Sequence, residues 1–513
     1  MRAHRGGSVA LIAAIAMLVT SFYAGAGASS ASRVRAVRVD VRPNIVLIMT
    51  DDMRWDELEN MPKTTAFLAA GGVRFTHAYV PNSLCCPSRT STLTGQYSDA
   101  TGVWGNDAPY GGFRSFAEGY TRPDGIVVPP HEGHTIAVDL QRSGYRTGLI
   151  GKYLNQYSST SANGLASRPG WQEWIAFLGK PNYFNYTLNR NGTSRTYAKG
   201  PANYSTDVLA DDAVTFIEST RADQPFFLEF TPYAPHAPFT PAPRFADALP
   251  DCPSGDRPPG CYRSYTSPNI DEADVSDKPA WVRALARGTG DVWNSTRRQQ
   301  ERTLLAVDDA VGRIRSTLKA TGRLANTMVV FISDNSLSGG SHRWTNKQSP
   351  WDEAIHVPLL IRFDPLTLAR AGTIDRSDMP LNVDLAPTFA GLAGIAPPTG
   401  TWAYDGRSLL PAVGGTGAID RRYFPLEHIS APIGVKVPTY CGVRTDGFGG
   451  APLSGRWMYV RYATGEEELY DLAADRWQLS SLHEDPAFAG QKRALRALTR
   501  RICSPAPPGY LWG

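Results

Sequence analysis

NIVLIMTDD, residues 44–52, is an apolar run that ends directly in two aspartates. Three further short apolar runs also lead to charged or polar residues: TGLIG at 147–151 to Lys152, PFFLEF at 225–230 to His236, and MVVFIS at 328–333 to Asp334 and Asn335. Continuous apolar runs are typical of strands that are buried on both faces of a parallel sheet. Ligand sites in such sheets lie beyond the carboxyl ends of the strands. The sequence therefore predicts a mostly parallel central sheet with its charged residues gathered along one edge.

Helical patterns alternate with these strands, which predicts an α/β sandwich. The clearest runs from Glu301 to Lys319, with apolar residues at helical spacing and Gly322 as a stop signal. After about residue 397 the pattern changes. Residues 457–462 alternate like a half-exposed strand, 468–472 are expected to pair back on them, and 487–502 read as a helix. We therefore predict a large domain at 42–397 and a smaller one at 398–513, an antiparallel sheet with a helix.

The N-terminus has the pattern of a secretory signal peptide. Arg2, His4 and Arg5 precede an apolar run at 9–19, and small residues follow at 24–28. The run is too short for an ordinary membrane span, so we expect residues 1–30 to be removed and the protein to be secreted without a stable membrane anchor. The net charge is +4 and the basic residues are scattered, which argues against nucleic-acid binding.

Six cysteines are compatible with an oxidising compartment. Cys252 and Cys261 flank a Pro/Gly-rich loop, and Cys441 and Cys503 are the remaining candidate pair. The sequence does not fix this connectivity.

The other two cysteines lie in CCPSR, residues 85–89, which continues to LTG at 93–95. Pro87 suits the first turn of a helix, which would place Cys85 at a helix N-terminus, where anions are favoured. Cys85 beside Arg89 is then a candidate nucleophile. The alternative is a buried cysteine pair or a disulfide partner.

This motif resembles the signature of the formylglycine-dependent sulfatases, members of the alkaline-phosphatase-like superfamily. In that family a maturation enzyme oxidises the first cysteine of the motif to formylglycine, which here implies Cys85 and not Cys86. The CCPSR form and the segment NYTLNRNG at 185–192 look similar to the glucosamine-6-sulfatase and heparan endosulfatase branch. The resemblance runs from Arg42 to about Leu482. It implies hydrolysis of sulfate esters, with a sulfated sugar such as N-acetylglucosamine-6-sulfate as substrate.

The resemblance also implies a metal site built from two acidic pairs and the modified cysteine: Asp51, Asp52, Asp334, Asn335 and Cys85. An isolated Asp-Asp pair is more often a turn or a helix cap. Two such pairs at the ends of two predicted core strands favour ligation. Oxygen ligands suit a hard divalent cation, and we expect Ca²⁺, with Mg²⁺ as the alternative.

Cationic residues complete the implied site. The catalytic set carried over from the family is Cys85, Arg89, Lys152, His236 and Lys347, and the substrate contacts are Lys152, His236, Lys347 and His342. Three family positions differ. Leu154 and Asn155 stand where many sulfatases have a histidine, Ser336 replaces a glycine, and Ser338 replaces a histidine. These changes concern the substrate pocket rather than the metal site.

The implied mechanism begins with hydration of the formylglycine aldehyde. One hydroxyl attacks sulfur, His236 or Lys347 protonates the leaving oxygen, and the second hydroxyl then re-forms the aldehyde and ejects sulfate. Two rival functions remain open at this point. One is a phosphodiesterase or phosphonate monoester hydrolase on the same fold, and the other is a catalytically dead exported binding protein.

Overall fold

The computed structural model describes residues 42–161, 164–253, 260–430, 437–447 and 454–512. The predicted signal peptide at 1–30 lies outside these residues. Among the helices in the described ranges, none combines the length and the apolar character that crossing a membrane requires.

The described strands form three sheets of ten, four and two strands. In chain order they are β1 Asn44–Thr50, β2 Val73–Phe75, β3 Tyr120–Thr121, β4 Val127–Val128, β5 Arg146–Gly151, β6 Glu173–Phe177, β7 Tyr186–Arg190, β8 Thr193–Tyr197, β9 Phe226–Thr231, β10 Thr327–Ser333, β11 Leu359–Arg362, β12 Thr373–Asp375, β13 Tyr423–His428, β14 Tyr440–Thr445, β15 Trp457–Tyr462 and β16 Glu467–Asp471.

The α-helices vary from single turns to one helix of 32 residues. They are α1 Pro62–Thr64, α2 Cys85–Thr94, α3 Ser98–Thr101, α4 Gly112–Glu118, α5 Ile136–Arg142, α6 Ser205–Ser219, α7 Ala280–Arg283, α8 Thr289–Ala320, α9 Asp352–Ile355, α10 Asp364–Thr367, α11 Leu385–Ala393, α12 Leu410–Gly414 and α13 Ala489–Ile502.

The large sheet has the strand order β12-β2-β11-β10-β1-β9-β5-β6-β7-β8. Its five central strands, β10 to β6 in that order, are mutually parallel, whereas the flanking ladders are mostly antiparallel. The four apolar runs of the sequence are β1, β5, β9 and β10, which are neighbours in the centre. The predicted mostly parallel α/β sandwich is confirmed.

The register of the central strands fixes the position of the acidic pairs. β1 and β10 pair in step from Asn44 with Thr327 to Thr50 with Ser333. The residues that follow the two strands, Asp51 and Asp334, therefore emerge side by side at one edge of the sheet.

Alternate residues of β1 face two separate apolar cores. Ile45, Leu47 and Met49 pack in the core that also holds residues of α5 and α11. Val46 and Ile48 pack in the core beneath α6 and α8. Helices thus cover both faces of the central sheet, as the continuous apolar runs require.

The predicted helix at 301–319 is present but begins twelve residues earlier, at Thr289. This first part is polar, so it lacks the apolar repeat on which the prediction relied. It is stabilised instead by the buried Trp293 and by Arg297, whose Nε donates to Glu301 Oε1 at 2.8 Å. Ion pairs rather than an apolar stripe hold this end of α8.

The C-terminal region forms the predicted antiparallel sheet. Strands β15 and β16 pair from Trp457 with Asp471, and α13 packs on the sheet through Leu495 and Leu498.

Disulfides join Cys441 to Cys503 and Cys252 to Cys261, with Cα–Cα distances of 6.1 and 4.9 Å. Because the chain from residue 42 onward is one compact unit, the domain boundary near residue 397 stays a prediction.

Candidate active site

The CCPSR motif forms the first turn of α2. Leu84 is the extended N-cap residue, Cys85 is the first helical residue and Gly95 ends the helix with a left-handed φ of 71°. Pro87 lies in the first turn, where its missing N–H removes no helical hydrogen bond. The helix dipole at this N-terminus favours negative charge beside Cys85.

Cys85 lies in the charged cluster at the sheet edge. Lys347 Nζ is 2.9 Å from Cys85 Sγ, and Asp51 Oδ1 is 3.5 Å from the same sulfur. Burial raises the pKa of the thiol to about 11, so an unmodified Cys85 is protonated at neutral pH.

Cys86 has different surroundings. Its Sγ accepts a hydrogen bond from the backbone N–H of Asn155 at 3.1 Å, and the side chain packs in the apolar core. Burial raises its thiol pKa to about 12. The structure therefore brings Cys85, and not Cys86, to the predicted ligand residues.

The two acidic pairs are linked directly. The backbone N–H groups of Asp52 and Asn335 donate to Asp334 Oδ1 at 3.1 and 2.8 Å, and Asn335 Nδ2 donates to Asp52 Oδ1 at 2.6 Å. Asp52 has a left-handed φ of 72°, an uncommon conformation for a non-glycine residue and one often found at functional sites. Four oxygen-bearing side chains from two distant chain segments thus converge at one point.

Three cations hold these carboxylates in place. Arg89 Nε donates to Asp334 Oδ2 at 2.8 Å, and its Nη2 lies 3.6 Å from Asp51 Oδ2. Lys152 Nζ is 2.5 Å from Asp51 Oδ2, and Lys347 Nζ is 2.6 Å from Asp52 Oδ1. All three cationic side chains are almost fully buried.

These contacts shift the pKa values of Asp51, Lys152, Lys347 and Asp334. Burial alone would raise the pKa of Asp51, but the cations, led by Lys152, outweigh it and hold the pKa well below its usual range. Burial would lower the pKa of Lys152 and of Lys347, and the adjacent aspartates outweigh it. The pKa of Asp334 is raised to about 6, first by burial and then by the neighbouring Asp51.

The cluster fits a divalent cation. The side-chain ligand atoms of Asp51, Asp52, Cys85 and His236 all lie within 4.8 Å of one another. Asn335 Oδ1 is buried and has no hydrogen-bond partner, and this amide oxygen is a suitable hard ligand. In the present arrangement the ammonium groups of Lys152 and Lys347 contact the same carboxylates that a cation would bind.

His236 lies at the more open side of this cluster, with about a quarter of its side chain exposed. Its Nδ1 lies 2.8 Å from Ala237 O, its Nε2 lies 3.6 Å from Asp52 Oδ2, and its ring stacks on Tyr233. Burial lowers the pKa of the imidazole. The neutral ring then carries its proton on Nδ1 and presents a free lone pair on Nε2 to the cluster.

His342 does not lie at the open side of the charged cluster. It is fully buried, its Nδ1 is 2.6 Å from Glu272 Oε2, and its ring packs against Trp351. A ring with no exposed area has nothing to offer a substrate in this conformation. The geometry gives its predicted substrate contact no support.

Two residues that support the site were missed by the sequence reasoning. Arg54 Nη1 donates to Leu337 O at 2.9 Å, which ties the loop after β1 to the loop after β10. Asn106 Oδ1 accepts from the backbone N–H of Cys86 at 2.9 Å and so caps the first turn of α2. Only the proximity of Arg54 to Asp52 in the sequence gave a usable signal, because the contacts of Asn106 depend on the fold.

Comparison with known protein families supports this site. A family model described as Sulfatase matches residues 43–395, and a second, described as N-sulphoglucosamine sulphohydrolase, C-terminal, matches residues 340–503. The first match includes every predicted metal-ligating and catalytic residue.

Several curated relatives have similar sequences. An extracellular sulfatase SULF-1 homolog of Drosophila melanogaster is 33% identical over 72% of this chain, which spans only 31% of that relative's length. The N-acetylglucosamine-6-sulfatases of Homo sapiens and Capra hircus are 31% and 30% identical over 74% and 90% of the chain, and the chain covers 66% and 84% of those proteins.

Solved structures share the fold. A protein in complex with its substrate D-glucosamine-2-N,6-O-disulfate aligns with a TM-score of 0.69 at 23% identity, covering 91% of this chain and 99% of that one. A phosphonate monoester hydrolase of Agrobacterium radiobacter aligns with a TM-score of 0.67 at 20% identity, covering 90% and 95%. The overall fold therefore does not separate sulfate from phosphonate hydrolysis.

Proposed function

Because this chain belongs to the sulfatase family, we propose that it hydrolyses sulfate esters of sulfated sugars resembling N-acetylglucosamine-6-sulfate. The observation that carries the proposal is the position of Cys85. Its sulfur lies at the helix N-terminus, 2.9 Å from Lys347 Nζ and 3.5 Å from Asp51 Oδ1, at the centre of the charged cluster. Relatives named N-acetylglucosamine-6-sulfatase support the choice of sugar.

The nucleophile of the proposed enzyme is formylglycine, made from Cys85 by a maturation enzyme. When present, the aldehyde supplies an oxygen nucleophile through its hydrate and a route for releasing sulfate by re-forming the carbonyl. A thiol whose pKa is raised by burial is a poor nucleophile at neutral pH, which favours a modified residue here.

The proposed cofactor is one divalent cation, Ca²⁺ in preference to Mg²⁺, which would be held by Asp51, Asp52, Asp334, Asn335 and the residue made from Cys85. When bound, it supplies Lewis-acid stabilisation of negative charge at the reacting centre. The uncharged Asn335 completes a set with three carboxylates. The negative charges of the three carboxylates balance the positive charges of Arg89, Lys152 and Lys347. A bound divalent ion therefore gives the centre a net positive charge, which suits an anionic ester.

The buried cations act on the sulfate group. Lys152 and Lys347 are the ammonium groups nearest Asp51 and Asp52, and we assign them to the sulfuryl oxygens, where charge develops in the transition state. Arg89 is fixed by Asp334 and by the backbone carbonyl of Lys152, to which its Nη1 donates at 2.9 Å. It therefore orients the edge of the cluster that faces Cys85.

The leaving oxygen needs a proton, and His236 and Lys347 are the two candidate donors. His236 is the more exposed and lies toward the opening, where the sugar must leave. Lys347 contacts the nucleophile position directly. The exposed location of His236 suits the leaving-group side of an in-line displacement, although its lowered pKa requires that it gain a proton when the substrate binds.

Secretion is part of the proposal. Two disulfides are compatible with an oxidising compartment, and one relative is named as an extracellular sulfatase.

The proposal is tested by assaying the purified protein, co-expressed with a formylglycine-generating enzyme, on a panel of sulfated mono- and oligosaccharides. We expect sulfate release from 6-sulfated N-acetylglucosamine and none by the matched Cys85→Ala protein. Turnover of phosphonate or phosphate esters with no release of sulfate from any panel member would instead favour the phosphonate monoester hydrolase reading.

A further inference from the structure

A cavity of about 280 Å³ lies where the residues after β2 meet the C-terminal sheet. β11 pairs antiparallel with both β10 and β2, so β2 points in the same direction as β10. Phe75, the last residue of β2, therefore lies at the same edge of the sheet as Asp51 and Asp334. In the strand order β2-β11-β10-β1, the ends of β2 and β1 are three strand spacings apart, roughly 14 Å. The nucleophile, the metal-ligand residues and the cationic clamp do not line this cavity.

Three guanidinium groups line the cavity, and they differ in their partners. Arg444 forms a bidentate pair with Asp352 at 2.8 Å for both contacts, and Arg456 lies 3.3 Å from Asp446 with about half of its side chain exposed. Arg476 stacks over the ring of Trp477 at 4.2 Å, and among the described residues it has no ion-pair partner. The rim therefore carries at least one guanidinium that is available to an anion.

The wall holds polar atoms that lack partners. Glu353 is 2% exposed, and its Oε1 accepts from Asn269 Nδ2 at 2.7 Å, whereas its buried Oε2 has no hydrogen-bond partner. Burial raises the pKa of this carboxyl to about 7. His77 Nδ1 is likewise buried and unpartnered. Buried polar atoms are rarely left without partners, so the residues of this wall retain unused hydrogen-bonding capacity.

One wall of the cavity is aromatic. Trp55 follows Asp52 by three residues, and its ring stacks on His356 at 4.4 Å and contacts the guanidinium of Arg54 at 4.6 Å. Guanidinium donors beside an aromatic wall are groups that recognise a charged sugar.

We propose that this cavity binds a sugar residue bearing an anionic group, sulfate or carboxylate, farther along the same glycan whose sulfate ester is cleaved at Cys85. The identity of the ligand rests on the proposed function. Because the cavity is lined by residues other than those around Cys85, occupying both places at once requires an oligosaccharide rather than a monosaccharide. The enzyme then favours chains in which the cleaved residue has anionic neighbours.

The kinetic test compares oligosaccharides with the same terminal 6-sulfated N-acetylglucosamine and with neutral, uronate-bearing or sulfated neighbours. We expect kcat/KM about tenfold higher for at least one anionic series, and the series that gains identifies carboxylate or sulfate as the group bound. The Arg456→Ala/Arg476→Ala protein should lose this preference, mainly through KM, and should keep its activity on 4-nitrophenyl sulfate. Arg493→Ala, which removes an exposed charge on α13, is the matched control and should keep the preference.

Equal kcat/KM for neutral and anionic series, or a preference that survives in the double variant, would overturn the inference. A binding measurement separates this failure from failure of the proposed function. Titration of the Cys85→Ala protein with sulfated oligosaccharide, followed by tryptophan fluorescence, requires no turnover. If the unsubstituted protein, co-expressed with the maturation enzyme, is inactive on all sulfates while binding to the Cys85→Ala protein depends on Arg456 and Arg476, the anion site is upheld and the sulfatase is refuted. Binding unaffected by the double variant would refute the site.

Discussion

The two faces of the first turn of α2 differ although their cysteines are adjacent. Cys85 faces the charged edge of the sheet and contacts Lys347 and Asp51, whereas Cys86 faces the apolar core and accepts from a backbone N–H. Both are fully buried, so burial alone does not distinguish them. The chemical role of each cysteine therefore depends on whether its side chain faces the ends of β1 and β10. Activity should depend on the charged face and stability on the apolar one.

The largest expected effect is on the charged face at Cys85. Cys85→Ala removes the side chain from which formylglycine is made, so sulfate release should fall below detection. The thermal midpoint should change little, because the deletion removes one small side chain next to a cation site. A Cys85→Ala protein with substantial activity would show that the nucleophile lies elsewhere.

Metal removal should have the next largest effect. Three buried carboxylates surround the proposed cation, so exhaustive chelation should remove nearly all activity, and Ca²⁺ should restore it more fully than Mg²⁺. Asp51→Asn, which keeps the shape and removes one ligand charge, should raise the Ca²⁺ concentration needed for half-maximal recovery. Full activity after chelation, verified by elemental analysis, would contradict the metal assignment.

A smaller loss is expected at the proton donors. Lys347→Ala and His236→Ala should each lower the rate on sugar sulfates by about 10²-fold, since one stabilising contact at the reacting centre is removed. The loss should be smaller on 4-nitrophenyl sulfate, because a good leaving group needs less proton donation. Parallel assays on the two substrate types check this. Equal losses on both types in both variants would exclude either residue as the general acid.

The smallest effect is expected on the apolar face. Cys86→Ala should lower the free energy of unfolding by about 1 kcal/mol, because it deletes one buried apolar group. It should keep most of the sulfatase activity. Urea unfolding measures the first quantity and steady-state kinetics the second. An inactive but stably folded Cys86→Ala protein would invert the comparison between the two faces.

The sequence predicted the fold wherever apolar runs were continuous, and β1, β5, β9 and β10 all lie in the centre of the sheet. It also placed Asp51 and Asp334 at one edge, because the ends of parallel strands coincide. It did not predict the first part of α8, where Arg297 and Glu301 replace an apolar stripe.

Contacts between side chains that are distant along the chain could likewise not be predicted from the sequence. Arg54 links two loops through a backbone carbonyl 283 positions away, and no local pattern marks such a contact. His342 lies next to the predicted segment in sequence, yet its ring is buried against Trp351 and Glu272. The family resemblance implied a substrate contact that the packing of His342 does not support.

The central claim concerns the chemical state of Cys85, and it is tested most directly by mass spectrometry of the active protein. Trypsin should release residues 75–89, which contain both cysteines and end at Arg89. The account predicts fragment ions that place formylglycine at Cys85 and an unmodified thiol at Cys86. A fully active protein in which Cys85 is unmodified, or in which the aldehyde lies at Cys86, would contradict it.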